Sequence, residues 1–211
     1  SVNIVIANVL SVICDGFGMY GWEGSKAASS NPFGHPPFYP GPGLGGHCIP
    51  VDPQYLTWKM KQLELDTKFI NLATEINQSM CEHVISKVVE ALNRKGKNLT
   101  GAKILVLGVA YKNDVADIRE SPGIRLIDHL MKSRALVSYH DTFVPQIKVD
   151  ERSLDSLELI GQLLSSVDCV VITTAHSYYP IDLIVDESSI IVDTRNATSK
   201  YSGSPGNVIK L

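Results

Sequence analysis

The chain has 211 residues, 44% of them hydrophobic and 19% charged, which is enough to bury one large core or two small ones. Its 19 basic and 22 acidic residues give a net charge of −3, which excludes the strong positive field that nucleic-acid binding needs. Its apolar runs are too short to cross a bilayer, and no charged-then-apolar leader opens the chain. We therefore expect a cytoplasmic protein with neither a nucleic acid nor a membrane as partner.

The first part of the chain has the pattern of helices interrupted by one long loop. Apolar residues at helical spacing start at Val2 without a capping signal, which predicts that the chain begins inside a helix. Residues 30–53 are rich in Pro and Gly and predict a loop, and loops of this length are typically functional. The aromatic residues Phe33, Phe38 and Tyr39 favour packing of this loop over disorder.

Two more helices are predicted after the loop, from Pro53 to Lys61 and from about Thr67 to Asn93. The longer helix has apolar residues at three- and four-residue steps, and a second apolar set widens the stripe. Such a stripe is compatible with burial inside the same domain and with a subunit interface. Residues 1–97 are thus predicted to form an all-helical central domain.

After residue 98 the pattern changes to strands and helices in alternation. The predicted order is a strand at 103–108, a helix at 123–133 capped by Ser121-Pro122, a strand at 135–140, a helix around 157–165, a strand at 168–173 and a last strand at 189–193. This order predicts an α/β fold in which residues 98–211 form a Rossmann-like parallel sheet. Ligand contacts are expected at the carboxyl ends of its strands.

The four cysteines are far apart and lack CxxC spacing, so we predict neither a disulfide framework nor a metal site. Cys14, Cys81 and Cys169 lie in apolar surroundings and are interpreted as core residues. Cys48 differs because glycines precede it and Asp52 follows four residues later, which pairs a nucleophile with an acid or base. Residue types alone still favour a structural cysteine. His47 and the pair His140-Asp141 are likewise interpreted as structural.

No part of the chain has the glycine fingerprint of a dinucleotide site. Residues 41–46 satisfy G-x-G-x-x-G formally, but no apolar strand precedes them and Ile49-Pro50 follows where a helix should begin. The turn after the strand at 103–108 contains one glycine only, Gly108. A classical NAD site is therefore not expected within these residues.

Three motifs resemble those of the UDP-glucose/UDP-N-acetylmannosamine dehydrogenase family. The first is the loop, Asn31-Pro32-Phe33-Gly34 and then Phe38-Tyr39-Pro40-Gly41-Pro42-Gly43-Leu44-Gly45-Gly46-His47-Cys48-Ile49-Pro50-Val51-Asp52-Pro53, which is most similar to the UDP-N-acetylglucosamine 6-dehydrogenase branch. The others resemble motifs of the family's UDP-binding domain, namely Gly108-Val109-Ala110-Tyr111-Lys112 with Asp117-Ile118-Arg119-Glu120-Ser121-Pro122, and Val192-Asp193-Thr194-Arg195-Asn196. They follow the family's order over most of the chain.

The resemblance implies an NAD-dependent UDP-sugar 6-dehydrogenase, which oxidises a 6-hydroxyl twice, to a carboxylate, through a thioester on the cysteine. Cys48 would be the nucleophile, and Asp52 would activate or orient the water. The other implied site residues are Phe38, Tyr39 and Gly45 at the sugar and nucleotide, Tyr111, Lys112 and Arg195 at the UDP-sugar, and Arg119 at the pyrophosphate of NAD.

The resemblance also sets expectations for the whole protein. The family's main NAD site lies in an amino-terminal Rossmann domain that is absent from these residues, so the isolated chain is expected to be inactive. A homodimer or higher homo-oligomer through the central helices is implied, as is a role in nucleotide-sugar metabolism for polysaccharide biosynthesis. Two other interpretations stay open: a non-catalytic UDP-sugar-binding or assembly module, and an unrelated thiol enzyme that uses Cys48.

Overall fold

The computed structural model of the protein describes residues 1–30, 38–201, 203 and 205–211. Helices come first and a parallel sheet follows, which confirms the predicted fold class. The helices of the first part are α1 (Val2–Gly16), α2 (Gly21–Ser29), α3 (Cys48–Lys61) and α4 (Lys68–Arg94). None of the helices in the described ranges combines the length and apolar character that crossing a bilayer requires.

Helix α4 connects the two parts of the molecule. It packs against α3 near its start, against α1 from Asn77 to Lys87, and against the strands of the sheet. Met80, Val84, Val88 and Leu92 are at most 1% exposed and belong to the same apolar cluster as the strands. The predicted apolar stripe is therefore divided: its second half is buried against the sheet, whereas Phe69 near its start is exposed.

The second part of the molecule contains seven strands among the described residues: β1 (Lys103–Leu107), β2 (Leu136–His140), β3 (Gln146–Val149), β4 (Arg152–Asp155), β5 (Cys169–Ile172), β6 (Ile191–Asp193) and β7 (Val208–Lys210). Its helices are α5 (Pro122–Lys132), α6 (Gly161–Ser166) and α7 (Ile181–Glu187). Five of the strands form a parallel sheet in the order β2-β1-β5-β6-β7. Successive strand residues alternate between two buried clusters, one with α4 and α5 and one with α6 and α7. Both faces are covered, as in doubly wound folds. The strand order reverses between β1 and β5, and in such sheets the ligand crevice lies at this reversal.

The structure corrects the predicted element list at several places. Strands β3 and β4 form an antiparallel hairpin where no element was predicted, and β7 follows the strand expected to be the last. These strands have three or four residues each, too few for a clear periodic signal. Cys14 is only half-buried, so its assignment to the core was wrong, whereas Cys81 and Cys169 are buried as predicted.

The carboxylate of Asp141 holds the carboxyl end of the sheet together. It follows β2 and is 1% exposed. Its Oδ2 atom accepts hydrogen bonds from the backbone N–H groups of Val109 and Ala110, at 2.8 and 3.1 Å, and Oδ1 accepts from Phe143 N at 2.9 Å. These N–H groups lie in the first turn after β1, where a parallel α/β sheet normally presents N–H groups to a ligand phosphate. In this protein an internal carboxylate occupies that position.

His176 extends this arrangement to the segment after β1. Its Nδ1 accepts from the backbone N–H of Asp114 at 2.9 Å, so the proton lies on Nε2, which donates to Asp141 Oδ2 at 3.1 Å. Two further bonds join the same segments: Ala175 N donates to Asn113 Oδ1 and Ser177 N to Asp114 Oδ1. The pair His140-Asp141, interpreted from the sequence as structural, thus contributes one residue that fixes the strand ends.

We predict that Asp141→Asn lowers stability mainly above pH 4. Burial raises the pKa of Asp141, but the hydrogen bonds from His176, Val109 and Ala110 outweigh it, so the pKa lies below its ordinary value. A lowered folded-state pKa adds stability that is present above the unfolded pKa of about 3.9 and is lost as the pH falls through the folded value. Losing the ionised acceptor is expected to cost roughly 2–3 kcal/mol at pH 7.

Urea unfolding of both proteins between pH 7 and pH 3 measures this difference. The exposed Asp150 in the β3–β4 turn serves as control, because its left-handed backbone (φ 49) accepts asparagine. Asp150→Asn should leave the free energy of unfolding nearly unchanged. A stability loss for Asp141→Asn that does not shrink towards pH 3 would contradict an ionised Asp141.

Candidate active site

Buried asparagines fix the glycine-rich segment 38–47 against the helices. Gly41 N donates to Asn8 Oδ1 at 3.0 Å, and Asn8 Nδ2 donates to Asn77 Oδ1 at 2.9 Å. Asn77 Nδ2 in turn donates to Ala73 O at 2.8 Å. Asn8 and Asn77 are at most 3% exposed, and burial of an amide is stabilising only when its hydrogen bonds are made. Sequence reasoning gave neither residue a role, although an asparagine within an apolar helix face is a signal for such a network.

Two glycines allow Tyr111 to contact the loop. A Cβ atom at position 45 would lie 2.6 Å from Tyr111 Cβ and 3.0 Å from Glu120 O, and one at position 46 would lie 2.9 Å from Tyr111 Cε2. Gly46 also has a left-handed backbone (φ 87), and its N–H donates to Arg119 O at 2.8 Å. The first two sequence motifs therefore meet through backbone that carries no side chain.

Arg195 brings the third motif to the same loop. Its guanidinium lies against Gly41, where any Cβ would overlap it. Asp193, fully buried at the end of β6, accepts hydrogen bonds from Arg195 N, Ala197 N and Thr198 N and so holds the turn that carries Arg195. Burial lowers the pKa of Arg195, and the nearby charge of Asp193 opposes this effect.

Cys48 is the first residue of α3, not part of a loop as predicted. Pro50 was taken as a helix breaker, but it lies in the first turn, where the missing N–H would have no intrahelical partner. Cys48 is exposed. Its Sγ, a ring nitrogen of His47 and a carboxylate oxygen of Asp52 all lie within 4.8 Å of one another. The structure thus brings Cys48 and Asp52 together one helical turn apart, and it adds His47, which sequence reasoning left out.

The cations expected at the diphosphates are on the surface of the segment after β1. Arg119 binds the carboxylate of Asp117 through Nε and one terminal nitrogen, at 2.5–3.0 Å. This contact lowers the pKa of Asp117 to about 2 and raises that of Arg119, to which the more distant Tyr111 and Cys48 also contribute. Lys112 is exposed and makes no ion pair with any residue in the described ranges. The backbone of Arg119 therefore meets the loop at Gly46, two residues before Cys48, and Lys112 has no partner among the described residues that would compete with an anion.

The structure describes Phe38 and Tyr39, two of the three aromatic residues that were predicted to pack in the loop. The ring of Tyr39 stacks on Trp22 of α2, with centroids 4.7 Å apart and planes 10° apart. Phe38 is half-buried. The role of both residues at the sugar stays a prediction, and residues 31–37, with Phe33, lie outside the described residues. Trp22 was not predicted as a partner of this loop.

A cavity of about 300 Å³ lies beneath the first turn of α3, between α4 and α5. Ile49, Gln54, Thr74 and Arg125 are among the residues that line it. Cys48, Asp52, Tyr111 and Arg195 are not part of its wall. Cys48 and Asp52 therefore lie on the open face of α3, outside this cavity.

Comparison with known proteins gives consistent matches for both parts of the chain. Residues 1–79 match the central domain, and residues 105–200 the UDP binding domain, of the UDP-glucose/GDP-mannose dehydrogenase family. The UDP-N-acetyl-D-mannosamine dehydrogenase of Methanococcus maripaludis strain C7 is 35% identical in an alignment that covers 92% of this chain and 44% of that protein. The NDP-N-acetyl-D-galactosaminuronic acid dehydrogenase of Ralstonia solanacearum is 32% identical over 94% of this chain and 45% of its own length.

Solved structures show the same similarity. The UDP-D-ManNAc dehydrogenase of Pyrococcus horikoshii superposes with a TM-score of 0.81 at 27% identity, over 99% of this chain and 47% of that one. The NDP-N-acetyl-D-galactosaminuronic acid dehydrogenase of Methanosarcina mazei Go1 gives 0.83 at 25% identity, over 100% and 47%. The chain thus spans less than half the length of the relatives that it matches.

We predict that Gly45→Ala destabilises the protein by about 1–3 kcal/mol, because its methyl group would overlap the fixed Tyr111 and Glu120 backbone. Gly16→Ala is the matched control, since a Cβ there meets nothing within 4 Å. That variant should be neutral or stabilising by up to about 1 kcal/mol. Urea unfolding gives both free energies. Equal effects of the two substitutions would show that Tyr111 does not pack on this loop.

Proposed function

Because the chain belongs to the UDP-glucose/GDP-mannose dehydrogenase family, we propose that it is the part of an NAD-dependent nucleotide-sugar 6-dehydrogenase that carries the nucleophile and the UDP-sugar site. The observation that carries this proposal is the exposed Cys48 beside Asp52, next to a glycine loop that contacts Tyr111 and Arg195. In this proposal residues 1–97 are the central domain and residues 98–211 the UDP-binding domain.

The UDP-sugar binds between the loop and the segment after β1. The exposed Lys112 and the Arg195 guanidinium supply positive charge for the diphosphate, and Tyr111, Phe38 and Tyr39 supply apolar surface for the sugar and nucleotide. Gly45 takes part in this site by letting Tyr111 pack directly on the loop backbone. The diphosphate does not enter the turn after β1, because Asp141 already binds the N–H groups of that turn. The N-acetylhexosamine names of the relatives make a UDP-N-acetylhexosamine the first substrate to test.

The residues of this chain fit only part of an NAD-binding site. Without a glycine fingerprint and with the first turn closed by Asp141, the sheet has no place for the dinucleotide pyrophosphate. NAD supplies the hydride acceptor when bound, and in this proposal its main site is formed by residues outside these 211. Arg119 is the residue of this chain that reaches its pyrophosphate, and it must leave Asp117 to do so.

Cys48 and Asp52 perform the covalent steps. The Cys48 thiolate adds to the carbon of the 6-aldehyde, so that the C–S bond forms as the C=O π bond opens to an oxyanion. NAD held by residues outside these 211 would supply the acceptor for the hydride whose loss from that carbon converts the adduct to a thioester. Water then attacks the acyl carbon while Asp52 accepts its proton, the C–S bond breaks and the carboxylate leaves. The first turn of α3 favours negative charge at the position of the sulfur. A cytoplasmic location and a role in polysaccharide biosynthesis belong to the same proposal.

We predict that a UDP-sugar protects Cys48 from alkylation. Iodoacetamide labelling followed by peptide mass spectrometry should show roughly tenfold slower labelling of Cys48 at ten times the dissociation constant of UDP-N-acetylglucosamine or UDP-N-acetylmannosamine. Half-buried Cys14 is the internal control, and its labelling should not change. Arg195→Gln should abolish protection, because it removes the guanidinium charge that lies beside Gly41 and is proposed to bind the diphosphate. With NAD added, this chain alone should form no NADH.

Three results would contradict this proposal in different ways. NADH formation by the isolated chain would place the hydride acceptor site within these residues. Tight UDP-sugar binding without protection of Cys48 would favour a non-catalytic binding or assembly module. Protection by a small acyl thioester and not by UDP-sugars would favour an unrelated thiol enzyme.

We further propose a homodimer or higher homo-oligomer through the central helices. Helix α1 and the residue that follows it expose an apolar stripe at helical spacing, and its members are 46–76% exposed: Ile6, Leu10, Ile13 and Phe17. A contiguous exposed apolar surface of this kind is typical of an interface.

Light scattering after size exclusion tests the interface. The wild-type chain should be a dimer or larger, and the double variant Leu10→Glu/Ile13→Glu should be a monomer, because burying two carboxylates costs more than the contact gains. Leu136→Glu is the control, since Leu136 is an isolated exposed leucine, 59% exposed, at the start of β2. A monomeric wild type, or dissociation by the control alone, would contradict this assignment.

A further inference from the structure

The group formed by His47, Cys48 and Asp52 has a second chemical property besides nucleophilicity. It offers one nitrogen, one sulfur and one oxygen donor, and these atoms lie within 4.8 Å of one another. All three side chains are exposed. The proposed reaction uses only Cys48 and Asp52, so it leaves the position of the imidazole unexplained.

The spacing of the three donors is close to that of a metal site. With metal–ligand distances of about 2.0–2.3 Å, ligand atoms around a tetrahedral Zn²⁺ are about 3.5 Å apart. Bringing atoms within 4.8 Å to that spacing takes movements of roughly 1 Å, which rotation of exposed side chains provides. Three protein ligands leave the fourth position to water, as in zinc sites that are open to solvent.

The charges around the group favour a divalent cation. A cysteine and a carboxylate bind a metal ion in their deprotonated forms and so contribute two negative charges to the complex, and a histidine binds through a neutral imidazole. The nearby guanidinium of Arg119 is bound to Asp117 through several N–H groups, so its charge is locally compensated. Hard cations such as Mg²⁺ prefer oxygen ligands, whereas a set with thiolate and imidazole selects Zn²⁺ and similar ions.

We propose that His47, Cys48 and Asp52 bind one borderline-soft divalent cation, with Zn²⁺ as the reference ion, and that this cation reversibly blocks the nucleophile. The metal–sulfur bond replaces the S–H bond, and the thiol proton passes to solvent, so no oxidant or reductant takes part. The regulatory role of this cation rests on the proposed function, whereas the binding of the cation does not.

Titration with Co²⁺ tests the binding directly, because a bound thiolate gives a near-ultraviolet charge-transfer band and a tetrahedral site gives intense visible bands. One equivalent should bind to the 211-residue chain. Cys48→Ser should abolish the charge-transfer band, and His47→Ala and Asp52→Asn should each weaken binding at least tenfold. Cys14→Ser is the control and should behave as wild type. A band that survives Cys48→Ser, or that is unaffected by both His47→Ala and Asp52→Asn, would overturn the proposal.

Alkylation kinetics separate this inference from the proposed function. Zn²⁺ should slow iodoacetamide labelling of Cys48, EDTA should restore it, and Mg²⁺ should have no effect. In His47→Ala protection by Zn²⁺ should be lost, whereas protection by the UDP-sugar should remain. If the UDP-sugar protects Cys48 and Zn²⁺ does not, the metal site is disproved and the proposed function stands. If Zn²⁺ protects and the UDP-sugar does not, the proposed function fails and the metal site stands.

Discussion

The carboxylate of Asp141 determines much of what lies at the carboxyl end of the sheet. It binds the two N–H groups that follow β1, and through His176 it is joined to the segment that continues from there. That segment carries Tyr111, whose ring packs on the glycines that precede Cys48. A buried carboxylate is stable only when its acceptor positions are filled, so this contact fixes the backbone as well as the side chain.

This arrangement changes where a nucleotide ligand can bind. The sequence predicted ligand contacts in the crevice at the strand ends, by analogy with open α/β sheets. The crevice exists, since the strand order reverses between β1 and β5, but the N–H groups of its first turn are already used. The guanidinium of Arg195 lies further out, against Gly41 of the loop, and Lys112 is exposed without an ion pair among the described residues. The fold is therefore Rossmann-like, while the proposed ligand position depends on the helical part of the chain.

The sequence predicted long and strongly periodic features well. The longest helix was expected at about 67–93 and occupies 68–94, and the parallel sheet was expected from continuous apolar strands with helices between them. It did not predict the β3–β4 hairpin or β7, because three or four residues give no usable period. The start of α3 at Cys48 was missed because Pro50 was taken as a helix breaker.

In the candidate site, too, the sequence predicted some residues and missed others. Cys48, Asp52, Tyr111 and Arg195 were found through motifs, and the structure gathers them around one loop. Asn8 bonds the backbone N–H of Gly41 and the side chain of Asn77, both far away in sequence, and a single sequence has no pattern for such contacts. Asp193 bonds the N–H groups of Arg195, Ala197 and Thr198 within its own turn. His47 was interpreted as structural because its spacing in the sequence demands no ligand, whereas the helix that starts at Cys48 brings its ring close to Cys48 and Asp52. The sequence pattern did not supply the first residue of α3, and the position of His47 depends on it.

The position of Cys48 relative to the sheet depends on a continuous path of packed elements. Helix α3 is bound to α4 by hydrogen bonds between Gln54 and Thr74 and between Thr57 and Thr67. The far half of α4 is buried in the core of the sheet, so Cys48 and the sheet share one packed support. The glycine loop contacts Tyr111 and Arg195 from the other side. A reaction that places C6 of a bound sugar against a sulfur atom needs such a fixed distance, because a displacement of about 1 Å costs roughly 100-fold in rate.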